Sequence, residues 1–363
     1  MQVKGSGQAG AVPSSRLGID KQEFSSAWGA NAVFANRYIR LIAFNLALFL
    51  TILSVDLIWL RGSTVRVGSG LWSDGLSATA SLIFFWVVLG ALRYQTRRVG
   101  LKFGQALDEF AGRLQVLALG LTAIVLFSGS LLLCSYLATA TDRPLMDAYL
   151  ASADTALGFD WVAYSGWLNN QPLLAWVISV AYGSLKIQML ALPAILALSG
   201  RSHRLLEFVS CFALSGALTC LVMTFVPAAG AFDFFHPSPD ILTSFGPGAS
   251  TRYLGQFHAL RELKEFWIEQ PEGLATFPSF HSALAVLFVY SMRGIRFAVV
   301  PAAILNALLL LATPPQGGHY FVDTLAGVAI AAISAAFIRW LSRPPAAMAG
   351  TSNIEPTHRR GRG

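Results

Sequence analysis

Charge is scarce in this chain. Only 12% of its 363 residues are Asp, Glu, Lys or Arg, about half of the roughly 25% usual in a soluble domain, which excludes an ordinary soluble enzyme. Cysteine is scarcer still. Cys134, Cys211 and Cys220 all fall in apolar stretches, so neither a disulfide framework nor a thiolate metal site is expected. The sequence also lacks a His-Glu-x-x-His pair, a clustered acidic motif and a Cys/His cluster, so no metal and no other cofactor is expected. Acidic residues are the minority charge, 19 against 26 basic, and the net charge of +7 suits a polyanion. The placement of the basic residues favours lipid over nucleic acid.

What is abundant is hydrocarbon, with 55% of the residues hydrophobic. About 20 apolar residues at 1.5 Å rise cross a bilayer core of roughly 30 Å. Runs of this kind lie near 39–60, 77–94, 114–139, 173–199, 205–227, 278–292, 297–313 and 320–341. The expected fold is therefore all-α, a polytopic membrane helix bundle of about eight transmembrane helices. The first run is too long and wrongly flanked for a cleaved signal peptide and reads as a retained anchor. Residues 1–38 are polar and irregular, and 342–363 are rich in Pro, Gly and Arg; both are expected to be disordered.

Basic residues in short loops stay cytoplasmic. With both termini inside, 19 of the 26 Lys and Arg residues fall on the cytoplasmic side, six outside, and Lys186 within a span. The two long connections, 140–172 and 228–277, then lie outside and mark the working face. In the second, Phe257, Leu260, Lys264 and Trp267 recur at helical spacing, as in an interfacial or solvated loop helix.

Two histidines sit where outer loops enter spans, His281 in ATFPSFHSALAVLF and His319 in TPPQGGHYFVDTLAGVAIA. Asp323 follows His319 by four residues, one helical turn, so its carboxylate can take one imidazole N–H and leave the other nitrogen bare. Such pairs occur by chance and cap helices, but an ionisable pair at the start of an apolar span is costly and usually functional. Gly317 and Gly318 before it allow close approach of backbone to a ligand. Pro278 and Ser279 open another helix on the same face, with N–H groups and a hydroxyl suited to phosphate.

PSFHSA followed by HYFVD, 38 residues apart from His to His, resembles the second and third signature motifs of the type 2 phosphatidic-acid phosphatase superfamily, in the form of its inositol phosphorylceramide synthase-like branch. The stretch DAYLASADTALGFDW, with Tyr182, Ser184 and Gln188 in the span that follows, is similar to bacterial members of that branch. The resemblance implies a catalytic membrane domain over 140–341, preceded by membrane helices at 39–139, in a bacterial inner or plasma membrane. It also implies a phosphohistidine route in which His319 attacks phosphorus, Asp323 orients it, and His281 protonates the leaving alkoxide and then activates the acceptor. Ser279, Gly318, Tyr182, Gln188, Lys186 and Arg143 are the expected substrate-binding residues. The partner is a membrane lipid, without nucleic acid.

The sequence departs from the family pattern at two places. The first motif's bases are missing at TFVPAAGAF around Pro227, and Ala312 and Thr313 stand where the third motif opens with Ser-Arg. Some other cation must then hold the phosphate. Candidates are Arg143, Arg252, Arg261, Lys264 and Lys186, the last expected about 14 residues into its span, roughly 20 Å below the outer boundary.

Three readings compete on sequence. A covered site under the 228–277 loop favours transfer to an alcohol over hydrolysis by water. A plain lipid phosphate phosphatase shares the chemistry. A transporter or flippase would use His319 and Asp323 as a proton relay, but no internal repeat is found. Ser279 and Ser282 flank His281 without the elbow motif of a serine hydrolase.

Overall fold

A computed structural model describes residues 21–99, 102–248 and 251–343. The termini at 1–20 and 344–363, expected to be irregular, lie outside the described residues. Helix α1 (Lys21–Gly62) already begins within the stretch read as irregular. It is followed by β1 (Val65–Val67), α2 (Ser69–Val99), α3 (Lys102–Thr139), α4 (Asp147–Ala156), α5 (Trp161–Asn169), α6 (Pro172–Gly183) and α7 (Leu185–Leu198). Then come α8 (Ser202–Phe225), α9 (Ala231–Phe235), a 3₁₀ segment (Pro239–Gly248), α10 (Arg252–Arg261), β2 (Phe266–Ile268), α11 (Phe280–Met292), α12 (Arg296–Gly317) and α13 (Phe321–Leu341). Residues 41–342 form one compact unit; in the other unit, Arg40 donates to the Arg343 carbonyl at 2.7 Å.

Among the described residues six helices are long and apolar enough to cross a membrane: α1 from Arg37, α2, α3, α8, α12 and α13. The protein is an integral membrane protein with an all-α architecture, apart from the three-residue pair β1 and β2. The run expected as one span over 173–199 is instead α6 and α7, bent by 50° at Gly183 and Ser184. A Gly/Ser step is a usual place for a helix to kink, and the Ser184 hydroxyl turns back onto the Ala181 carbonyl at 2.6 Å. The run at 278–292 is shorter than expected, because Pro278 lies in a bend, Ser279 is the extended N-cap, and α11 has only 13 residues, roughly 20 Å of helix.

Helix α8 is the axis of the bundle. Of its most apolar window 67% is buried, against 6% for α2, which faces outward. Small residues let neighbours approach α8: a Cβ on Gly216 would stand 2.3 Å from Leu131 of α3. Hydrogen bonds tie the bundle where water is absent, from Asn45 to Ser210 and from Ser215 to Ser334. A second core of Tyr136, Trp161, Phe232, Phe257 and Tyr320 lies at the end of the bundle that carries the 140–172 and 228–277 connections.

The helix expected through Phe257, Leu260, Lys264 and Trp267 is cut short. Helix α10 ends at Arg261, Leu263 takes a φ of 56°, and Phe266–Ile268 form β2, parallel to β1 with Val65 opposite Phe266. Phe257 and Leu260 are buried, whereas Lys264 pairs with Glu262 at the surface and Trp267 is exposed. The strand wins because β1 offers an edge and the left-handed Leu263 ends the helical hydrogen bonding.

Candidate active site

The turn between α12 and α13 carries His319. Gly318 closes α12 with a φ of 64°, a conformation that glycine adopts without a steric cost. A Cβ there would stand 2.4 Å from the Phe232 ring. The backbone of this turn is held at each residue. The Gly318 carbonyl accepts from Ala231 N–H at 2.7 Å, and the His319 carbonyl accepts from the Trp161 indole at 3.1 Å. Tyr320 N–H donates to the Asp323 carboxylate at 2.9 Å, closing a capping box at the start of α13.

The same oxygen of Asp323 lies 3.3 Å from His319 Nδ1. The opposite ring nitrogen, Nε2, lies 3.3 Å from the Ser279 hydroxyl. Ser279 Oγ accepts from Ser282 N–H as the N-cap of α11, so its own hydrogen is available to Nε2. This network assigns the proton to Nδ1 and the lone pair to Nε2. Burial pushes the His319 imidazole down to about 4, against a smaller upward pull from the Thr276 carbonyl, so the ring is neutral near pH 7. Helices α11 and α13 meet closely here. Ser279 N–H donates to the Asp323 carbonyl at 3.0 Å, and a Cβ on Gly327 would stand 2.1 Å from the Ser279 carbonyl.

His281 faces His319 with ring centroids 6.3 Å apart, and Tyr182 stacks on it at 4.9 Å. All three line a cavity of about 700 Å³. Lys186, in the first turn of α7 just past the bend, lines the same cavity. Lys186 is the one Lys or Arg among the described lining residues, and Glu272 the one carboxylate.

Of the expected binding residues Tyr182 and Lys186 line the cavity; Ser279 and Gly318 adjoin His319 without being among the lining residues, and two lie elsewhere. Gln188 accepts from Asn306 at 2.8 Å and donates to Ser184, tying α7 to α12. The Arg143 guanidinium lies 4.8 Å over the Phe225 ring and does not line the cavity. Of the other candidate cations, Arg261 donates to the Thr141 and Arg143 carbonyls, and Arg252 lies 3.7 Å from Glu272 at an exposed position.

Asp147 and Asp154 are the residues that sequence reasoning missed. Asp154 accepts from Phe321 and Val322 N–H, both at 2.8 Å, and so caps α13 from a distance. Burial pushes its carboxyl up, and those two N–H groups pull it back. Asp147 accepts from Ala229 and Gly230 N–H and from the Tyr320 hydroxyl at 3.0 Å. The signal was present: two acids seven residues apart share one face of a helix.

Fold and site together define an integral membrane protein with a buried His–Asp pair, a second histidine and one lysine around a single cavity. The segment 148–337, more than half of the chain, matches the PAP2 superfamily, and the chain belongs to that family. The superfamily consists mostly of phosphatases. Neither a curated protein nor a solved structure matches the chain.

Proposed function

We propose that this PAP2-superfamily protein is a lipid phosphotransferase or phosphatase of the inositol phosphorylceramide synthase-like branch, working at the extracytoplasmic face through a phosphohistidine. The observation that carries the reading is the pairing of His319, oriented by Asp323 through Nδ1, with His281 across one cavity. In this route His319 Nε2 forms a bond to phosphorus as the bond from phosphorus to the alcohol oxygen breaks. His281, which takes up a proton when the anionic phosphate binds, gives that proton to the departing alkoxide. An acceptor hydroxyl, from a second alcohol or from water, then attacks the phosphohistidine and gives its proton to His281, which restores both rings. Asp323 balances the charge that His319 acquires.

Lys186 supplies the charge that the family's missing bases would give. A charge-assisted hydrogen bond of about 1.5–3 kcal/mol sets the expected loss for Lys186→Met at roughly 10- to 100-fold in kcat/KM. Wild-type kinetics in that variant would remove Lys186 from the site. The neutral His319 also fixes a pH dependence. Protonation removes the lone pair, so the acid limb due to His319 lies near pH 4 instead of the ordinary 6.5. With a phosphodiester donor, which has no second ionisation in this range, a pH profile of kcat/KM with its acid limb at 6.5 would contradict the buried nucleophile.

Hydrolysis and transfer separate in one assay. Purified protein receives a phospholipid donor and a second lipid or polyol with a free hydroxyl, and products are followed by mass spectrometry. A phosphorylated acceptor supports transfer. Release of only free phosphate or phospho-alcohol at every acceptor concentration supports the phosphatase. Orientation is tested separately: cysteines placed in 228–277 react with an impermeant thiol reagent on intact cells, and cysteines near Arg201 do not. The reverse labelling would put the site on the cytoplasmic side.

A further inference from the structure

The cavity extends well beyond the histidines, and its far half has a different chemistry. Near His319 it is polar, with Thr276, Gln316 and Tyr182 beside the two imidazoles. Farther in, its walls are Leu131 and Leu132 of α3, Phe212 of α8, Met189 of α7 and Leu284 of α11. Helix α8 ends at Phe225, and Phe212 lies 13 residues before that end, which is roughly 20 Å down the helix axis. The cavity therefore runs from the polar end of the bundle into the depth of the hydrocarbon layer. On the α8 side it is closed, since Leu131 and Phe212 are buried at 7% and 3% exposure. Between α3 and α7 it is open, since Ser128 and Lys186 both line it and are exposed. Helix α3 lies wholly before the family segment 148–337.

We infer that this inner half is a slot for one hydrocarbon chain of the lipid whose phosphate is presented to His319, entered sideways between α3 and α7. Helix α3 is thus part of the substrate site, and a helix outside the family segment helps to set which lipids are accepted. The occupant follows from the polarity gradient. A headgroup fits the end with two histidines and a lysine, and an alkyl chain fits an end walled chiefly by leucine, methionine and phenylalanine, where the polar lining groups, Ser128, Ser135 and Thr219, are small and uncharged. The volume suits part of one lipid, since pockets of 300–1,000 Å³ take ligands of drug size. Within a bilayer the slot gains little from hydrophobicity, because lipid tails are as apolar as leucine. Its effect is orientation: a chain held between α3 and α8 fixes the phosphate beside Nε2.

The inference rests on the lipid-phosphate reading above, and two measurements separate their failures. In the first, a phosphatidic acid with a diazirine near the end of one acyl chain is reconstituted with the full-length protein in nanodiscs, irradiated, and mapped by mass spectrometry. Labelling is expected on 128–135 of α3 and 212–220 of α8, in wild type and in His319→Ala alike. Labelling confined to outward positions such as Phe84 of α2 would overturn the slot. If the wild type turns over no phosphorylated lipid yet the label maps to α3 and α8, the slot stands and the catalytic reading falls. In the second, soluble phosphatidic acids with chains of four to ten carbons are compared. From water, kcat/KM is expected to rise about fourfold per methylene until the slot is full. Leu132→Trp should bring the plateau to shorter chains. Leu132→Ala should move it to longer ones, and it serves where the tryptophan variant does not fold. A plateau that moves in neither variant would overturn the inference.

Discussion

His319→Ala is expected to abolish turnover by on the order of 10³-fold or more, and His281→Ala and Asp323→Asn by similar factors, because nucleophile, acid and orienter act as a unit. The three losses should not add: the double variant His319→Ala/His281→Ala should be no slower than His319→Ala alone. Each change reads differently in structural terms. Without His319 there is no covalent acceptor for the phosphoryl group. Without His281 the alkoxide leaves unprotonated. In Asp323→Asn the side chain keeps its shape and can still accept from Tyr320 N–H, but the ring at Nδ1 is no longer held by a charge. Trapping with labelled substrate followed by acid-stable and acid-labile phosphate analysis checks the route. Substantial turnover by a folded His319→Ala protein would eliminate the covalent pathway.

Asp154→Ala is expected to cost both stability and rate. The substitution leaves Phe321 N–H and Val322 N–H without their acceptor in a position only 1% exposed. At roughly 1–3 kcal/mol for each unsatisfied buried group, the loss is about 2–6 kcal/mol, a large share of the roughly 5–15 kcal/mol typical of a folded domain. The first turn of α13 carries Asp323, so fraying there also misplaces the orienter. A displacement on the scale of 1 Å costs about 10²-fold in rate. Asp154→Asn keeps one carbonyl oxygen and should fall between wild type and alanine in both measures. Thermal unfolding in detergent and turnover at a temperature where the variant is folded are the two readings. An alanine variant with wild-type stability and rate would show that α13 needs no cap from α4.

Much of this arrangement is legible in the sequence because it obeys short-range rules. Long apolar runs give the crossing helices, and the four-residue step from His319 to Asp323 gives the pair. The bend at Gly183 and Ser184 is not legible, because apolar residues continue on both sides and only the three-dimensional path shows the break. Which cation lines the cavity depends on that path, so Lys186 could be named only as one of several. Gln188 and Arg143 share the chemistry of ligand-binding residues, and neither faces the site. Gln188 meets Asn306 of α12, and Arg143 meets Phe225 of α8. β2 was hidden for the opposite reason: three residues that alternate poorly become a strand because β1, some 200 positions earlier, provides the edge.

The pairing of β1 with β2 has a mechanical consequence. β1 follows directly on α1, and β2 belongs to the segment that leads through Glu272 and Thr276 to Ser279. The segment that leads to the histidines is therefore stitched to the connection between α1 and α2. A fragment cut to residues 148–337 would keep every proposed reacting side chain and yet leave that segment unlaced, with a bare strand edge where Val65–Val67 had been.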